Sequence, residues 1–155
     1  MDLHYQSPWF NEALAKEENL KISELNLNLT CDVCIIGGGY TGLWTAIKIK
    51  EKKPQLNIIL IEKDLCGSGA SGRNGGCMIP QSTKFQGIRD VVGVNDAKKM
   101  VLSTEAAVKN IKDFCSENKI NAEIRDDGVL YGATNKFHQG AFENLIRDLN
   151  QHNIN

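Results

Sequence analysis

Two short unbroken apolar runs, Val33 to Ile36 in CDVCIIG and Ile58 to Ile61 in LNIILIEK, flank a segment whose apolar positions recur at helical spacing. Runs of this kind belong to strands buried on both faces of a parallel sheet. The segment between them, YTGLWTAIKIKEKK, predicts a helix with Leu43, Ala46, Ile47 and Lys50 on one stripe. Its last turns carry Lys48, Lys50, Lys52 and Lys53, which suit the negative end of a helix dipole, and Pro54 ends it. Strand, helix and strand within about thirty residues make one βαβ unit. Ahead of it, ELNLNL alternates Leu25, Leu27 and Leu29 with polar residues, as a half-buried extended segment would.

Beyond Pro80 the pattern changes. Residues 96–117 place Ala97, Met100, Val101, Thr104, Val108, Ile111 and Cys115 on a helical stripe, with Asn95 available as a cap. AEIRDDGVLYGAT reads as two short strands joined at Asp127-Gly128, a dipeptide suited to a tight hairpin. A final helix carries Phe142, Leu145, Ile146 and Leu149. A parallel sheet needs several strands and cover on both faces, yet only two parallel strands precede the change. The α/β domain therefore reads as unfinished.

Composition narrows the classes. A chain of 155 residues, 41% hydrophobic and 24% charged, is of single-domain, soluble globular character. Its formal net charge of -1, with dispersed lysines, provides no basic field and argues against nucleic acid as a partner. The N-terminal stretch has neither a basic leader nor an apolar core, and the apolar runs are too short to span a bilayer, so the expectation is a cytoplasmic protein with no membrane span. Five cysteines, an odd number, suggest reduced thiols. Cys31 and Cys34 spell C-x-x-C, but on a strand side chains three apart point to opposite faces, which suits neither a metal nor a redox pair. His4, His138 and His152 are scattered, and none is assigned to catalysis.

The turn between the first strand and the helix carries the chemistry. In GGGYTG, residues Gly37, Gly39 and Gly42 stand in G-x-G-x-x-G register. Gly37 permits the tight turn, Gly39 lets the backbone approach a pyrophosphate, and Gly42 lets helix and strand pack closely. The phosphates would sit at the helix N-terminus, where N–H groups and the dipole stabilise their charge. Glu62, twenty residues after Gly42 at the end of the second strand, is placed to accept hydrogen bonds from ribose hydroxyls. Together these features point to an adenine dinucleotide.

A second glycine-rich stretch, SGASGRNGGC at residues 68–77, selects among dinucleotides. Its glycines allow close backbone approach, and Ser68, Ser71, Arg73 and Asn74 add hydroxyl, guanidinium and amide groups, with Arg73 suited to phosphate oxygens. A ligand threaded between two such loops has the extended shape of FAD.

The stretches CDVCIIGGGYTGLWTAIKIK and IILIEKDLCGSGASGRNGGC, with SPWF upstream, resemble the N-terminal part of the FAD-dependent oxidoreductases of the D-amino-acid oxidase superfamily, nearest to the gamma-glutamylputrescine oxidase type. The resemblance covers most of residues 7–80. It implies a Rossmann-like FAD/NAD(P)-binding fold, here incomplete and followed by the start of an α+β substrate domain. It also implies an arm at 1–30, the FAD-binding unit at 31–90, and the opening of the substrate domain at 91–155. Carried over by position, the cofactor contacts are Gly37, Gly39, Tyr40, Thr41, Glu62, Lys63, Ala70, Ser71, Arg73, Asn74, Gly75 and Gly76, with Gly42 and Gly69 completing the two loops. Cys77 departs from the family pattern and is expected to be a small packed side chain. The implied activity is oxidation of the C–N bond of an amine or amino acid by hydride transfer to flavin, with dioxygen or another acceptor taking the electrons onward. Family members are two to three times longer, so the chain is expected to be an N-terminal fragment whose catalytic groups lie elsewhere. Two alternatives stay open: an NAD(P)H-dependent flavoprotein reductase, which needs a second G-x-G-x-x-G, and a non-catalytic nucleotide-binding remnant.

Overall fold

The computed structural model describes residues 7–17 and 23–154. Two compact units follow one another along the chain, Met1–Cys77 and Met78–Asn155. His4 lies outside the described residues.

In the first unit, helix α1 (Pro8–Ala15) starts where its sequence provides a cap. The Ser7 hydroxyl accepts the Phe10 N–H at 3.2 Å, and Pro8 supplies a φ already suited to the first helical position. Strands β1 (Val33–Ile36) and β2 (Ile58–Ile61) pair in parallel, with Val33 opposite Ile58 and Ile36 opposite Ile61. Helix α2 (Tyr40–Lys52) connects them and packs on both. The ladder extends one step past β1, where the Gly37 N–H donates to the Ile61 carbonyl at 2.8 Å. Lys50 Nζ donates to the carbonyls of Pro54 and Leu56 at 2.7 and 3.0 Å, so it fastens the turn into β2 as well as complementing the helix dipole. The βαβ unit read from the sequence is therefore present.

Its burial differs from expectation. Val33 and Ile35 are half-buried, but Cys34 and Ile36 are exposed, Ile36 to 88%. The cause is the period-2 alternation of a strand: α2 covers one face, and the side chains that alternate to the other stay in solvent. On α2 itself, Ala46 and Ile47 are half-buried as read, while Leu43 is 38% exposed. Leu25, Leu27 and Leu29 are exposed and residues 23–30 form no strand, because the sheet among the described residues has two members and neither pairs with this segment. The first unit is thus mixed α/β with a two-stranded parallel sheet among the described residues.

The second unit is helical. A single 3-10 turn at Gln81–Lys84 leads into helix α3 (Phe85–Val92), a stretch the hydrophobic pattern left unassigned. Gly93 then ends α3 and starts helix α4 (Val94–Glu117). Its φ of +81° is left-handed, a conformation that favours glycine, and it replaces Asn95 as the capping position. Helix α5 (Glu143–Gln151) closes the unit. Phe85, Ala97, Val101, Leu145 and Ile154 form the core, with Ile88 and Leu149 against it. Of the residues read onto the α4 stripe, Met100 is half exposed, whereas Ala97 and Val101 are fully buried. On α5, Leu145 is buried and Ile146 is 55% exposed. An ion pair between Arg89 and Asp148 ties α3 to α5, and His152 Nε2 lies 3.5 Å from Asp148 Oδ1.

The hairpin expected around Asp127-Gly128 does not form. Gly128 does take the left-handed φ of +77° that such a turn needs. However, Val129, Leu130 and Tyr131 are 55%, 95% and 49% exposed, the Tyr131 ring meeting Phe142 at 5.2 Å between centroids, and a lone two-stranded ribbon with so little cover is marginal in water. Among the described residues, no helix is long and apolar enough to cross a membrane.

Phe85 is fully buried, so Phe85→Ala is expected to destabilise the second unit by about 3–5 kcal/mol. Leu130→Ser, at a site 95% exposed, is expected to change stability by less than about 0.5 kcal/mol. Urea unfolding followed by circular dichroism measures both.

Candidate functional site

In the first glycine loop Gly37 and Gly42 serve the turn and the helix–strand packing that their spacing suggests. Gly37 has a φ of +105°, which turns the chain sharply out of β1. A Cβ on Gly42 would collide with the Gly37 carbonyl oxygen and lie 3.3 Å from the Ile35 side chain, so its bareness lets the first turn of α2 rest on the end of β1. At Gly39 a Cβ would lie 2.9 Å from Ser71 Oγ. The close approach that Gly39 permits is used here by the second loop.

Glu62 leaves β2 and reaches back to the same turn. Its Oε2 accepts the Gly38 N–H at 2.6 Å, and its Oε1 accepts the Asp64 N–H at 3.1 Å. The Gly38 and Asp64 amides hold its carboxyl below the ordinary value of 4.5. The carboxylate therefore arrives at the loop already oriented, with further lone pairs for ribose hydroxyls.

The second glycine loop folds beside the first. The Gly67 N–H donates to the Gly38 carbonyl at 2.9 Å, and residues 70–72 make a single 3-10 turn. That turn aims Ser71 Oγ at the Tyr40 N–H, which it meets at 2.9 Å. The capping residue of α2 is Gly39, which has no side chain to offer, so the hydroxyl of a residue 31 positions away serves one of the helix's orphan donors. Below the turn, Asn74 Nδ2 donates to the Ser71 carbonyl at 2.6 Å, and the Gly76 N–H donates to Asn74 Oδ1 at 2.8 Å. Asn74 is thus a brace inside the loop.

The glycines here divide by cause. Gly67 and Gly76 have φ of +87° and +72°, and a Cβ on Gly72 would strike the Gly67 carbonyl oxygen. Gly75 has no such constraint. Nothing lies within 4 Å of its Cβ position and its φ is not left-handed, so the protein's own packing does not require a glycine there.

Gly75 borders an open hollow of about 310 Å³. Tyr40 stands at one rim, Ser71, Gly72 and residues 74–76 form another, and Trp9, Phe10 and Ala13 of α1 form the third. Of the contacts read from the sequence, Tyr40, Ser71, Asn74, Gly75 and Gly76 meet at this hollow. Gly37, Gly39, Gly42 and Glu62 gather at the adjoining β1–α2 turn. Arg73 is turned onto its own loop, its Nε donating to the Gly69 carbonyl at 3.1 Å. Cys77 is exposed, its Sγ 3.7 Å from the Gly75 carbonyl oxygen, so it is not the packed side chain expected. The sequence reading did not assign a role to Trp9, Phe10 and Ala13. The SPWF stretch was the signal that pointed to them, since it stands outside the βαβ unit and yet shares the family resemblance.

The profile of the family described as FAD dependent oxidoreductase matches residues 32–155. The chain belongs to that family. The chain is similar to gamma-glutamylputrescine oxidoreductase of Escherichia coli (strain K12), 31% identical over 113 residues, which are 72% of this chain and 26% of that protein. The mitochondrial L-2-hydroxyglutarate dehydrogenase of Dictyostelium discoideum is 33% identical over 117 residues, 75% of this chain and 24% of that protein. The chain spans about a quarter of the length of these curated relatives. No solved structure matches it. The family's cofactor is FAD, and the residues present fit it: a helix N-terminus suited to phosphate, a carboxylate held at the same turn, and beside them a hollow bordered by a glycine whose bareness the protein does not use.

Because the folded Glu62 carboxyl titrates below its unfolded counterpart, its contribution to the loop is complete above about pH 4.5 and is lost as pH falls through the lower folded value. In an NMR titration the Gly38 amide proton is expected to shift upfield with a midpoint below 4.5. In Glu62→Gln that titration is expected to vanish.

Proposed function

We propose that the chain forms the dinucleotide-binding part of an oxidoreductase that oxidises the C–N bond of an amine or amino acid. The observation that carries this reading is the hydrogen bond from the Tyr40 N–H to Ser71 Oγ, which sets two glycine loops side by side at the start of α2 with an open hollow between them and α1. In this reading Gly37, Gly39, Tyr40, Thr41 and Gly42 hold the diphosphate, and Glu62 takes the adenosine ribose while Lys63 borders it. Gly69, Ala70, Ser71, Asn74, Gly75 and Gly76 shape the second wall. Arg73 swings from the Gly69 carbonyl to a phosphate oxygen, exchanging a neutral acceptor for a charged one. Residues 91–155 begin the substrate domain.

The two glycine loops and Glu62 would hold FAD, and the chemistry it would supply is acceptance of a hydride from the carbon beside the substrate nitrogen, with the imine hydrolysed by water and the two electrons taken up by dioxygen or another acceptor. This chain's residues bind and orient the cofactor. The amine class is favoured by the resemblance to gamma-glutamylputrescine oxidoreductase, whose name states an amine substrate. The likeness to a 2-hydroxyglutarate dehydrogenase makes oxidation of a C–O bond the competing outcome.

The visible spectrum of the purified protein, incubated with FAD and desalted, tests the reading. Flavin absorbance retained after desalting is the expected result for a chain whose part is to hold the cofactor, and in a longer protein that carries the catalytic groups an added amine or amino acid is expected to bleach it under anaerobic conditions. Bleaching by a 2-hydroxy acid alone would move the reaction to C–O bonds, bleaching by NAD(P)H alone would make the protein a reductase, and colourless protein would leave a remnant without FAD.

A further inference from the structure

We infer that Trp9 is a contact residue for the bound dinucleotide, and that α1 is a strap that holds the second glycine loop at the start of α2. The inference rests on the reading of the hollow as an FAD site. The residues of α1 divide the work between them. Ser7, its capping residue, uses one hydroxyl twice: it accepts the Phe10 N–H at 3.2 Å and donates to the Gly72 carbonyl. Phe10 lays its ring over the same loop, 3.4 Å from a Cβ position on Gly67 and 3.0 Å from one on Gly72. These two residues explain why α1 docks where it does. Trp9 takes no part in that docking. It lies between them in the chain, borders the hollow, and is 64% exposed.

An indole held at the mouth of a hollow by two anchored neighbours is a preformed wall. Its face is apolar and its edge carries one N–H donor, a combination that suits a ligand with flat rings joined by a sugar–phosphate chain. Facing it are the Tyr40 side chain, 60% exposed, and Gly75 with open space at its Cβ position. Covering so large an exposed indole is favourable in itself, and no entropy of ordering the backbone remains to be lost, because Ser7 and Phe10 have fixed α1 already. The other tryptophan, Trp44, stands elsewhere on α2 with Lys48 Nζ 5.4 Å from its ring centroid, and it does not border the hollow.

Two measurements on the full chain test the inference. In Trp44→Phe, which leaves Trp9 as the sole indole, saturating FAD is expected to cut the acrylamide quenching of the remaining emission at least about twofold by covering the ring. In Trp9→Ala, calorimetry is expected to show FAD affinity lowered about two- to tenfold, with Trp9→Phe recovering most of it. FAD binding with unchanged acrylamide access to Trp9 and equal affinity in Trp9→Ala would overturn the role of Trp9 and leave the FAD site standing. Absence of FAD binding to the unsubstituted chain would overturn both. Should Trp9→Ala fail to fold, the acrylamide measurement on Trp44→Phe decides alone.

Discussion

The architecture of the first unit depends on one hydrogen bond, the one that Tyr40 N–H gives to Ser71 Oγ. A helix leaves its first N–H groups without partners, and α2 begins at a glycine that cannot supply a capping side chain. The sequence answers that need from a distant loop. Gly39 has to be bare for the hydroxyl to come near, and residues 70–72 have to make a tight turn for Ser71 to point the right way. Each loop is therefore part of the other's reason for its conformation. A diphosphate placed at this helix start would meet N–H groups already oriented and a hydroxyl already in place.

The same dependence runs outward to β2 and α1. Glu62 fixes the first loop by accepting the Gly38 N–H, and Gly67 fixes the second to the first through the Gly38 carbonyl. Gly38 thus joins both neighbours through its two backbone polar groups. On the other side, Ser7 and Phe10 hold the 3-10 turn from above. Three stretches of the chain, residues 7–10, 37–42 and 62–76, converge here, although among the described residues the sheet beneath them has two strands and an exposed face.

Much of this arrangement could be read from the chain because it rests on local chemistry. The G-x-G-x-x-G spacing, the alternation of apolar runs with a helical stripe, and the position of Glu62 each reflect a constraint acting within a few residues or one supersecondary unit. What could not be read depends on partners in space. Ile36 looks like a buried strand residue in any apolar run, and only the absence of cover on its side makes it 88% exposed. The Asp127-Gly128 dipeptide specifies a turn, and Gly128 obeys it, but a turn does not create the packing that two strands require. Helix α3 escaped notice because its core contribution is concentrated in Phe85 and Ile88 rather than spread over a long stripe. The roles of Trp9 and Phe10 were invisible for the same reason: α1 has no buried residue of its own, and its meaning comes from the loop beneath it.

Family membership and geometry meet at Gly75. Its bareness serves neither backbone strain nor the protein's own packing, so it is the position where room for a ligand can be removed without disturbing the fold. The most direct test is calorimetric titration of FAD into Gly75→Val alongside the unsubstituted chain, with thermal unfolding of both recorded without ligand. The account predicts unchanged unfolding and an affinity for FAD lowered at least about tenfold, because the valine side chain takes up space at the border of the hollow. Equal affinity in the two proteins would contradict it, since the space beside the two loops would then not be where the dinucleotide binds.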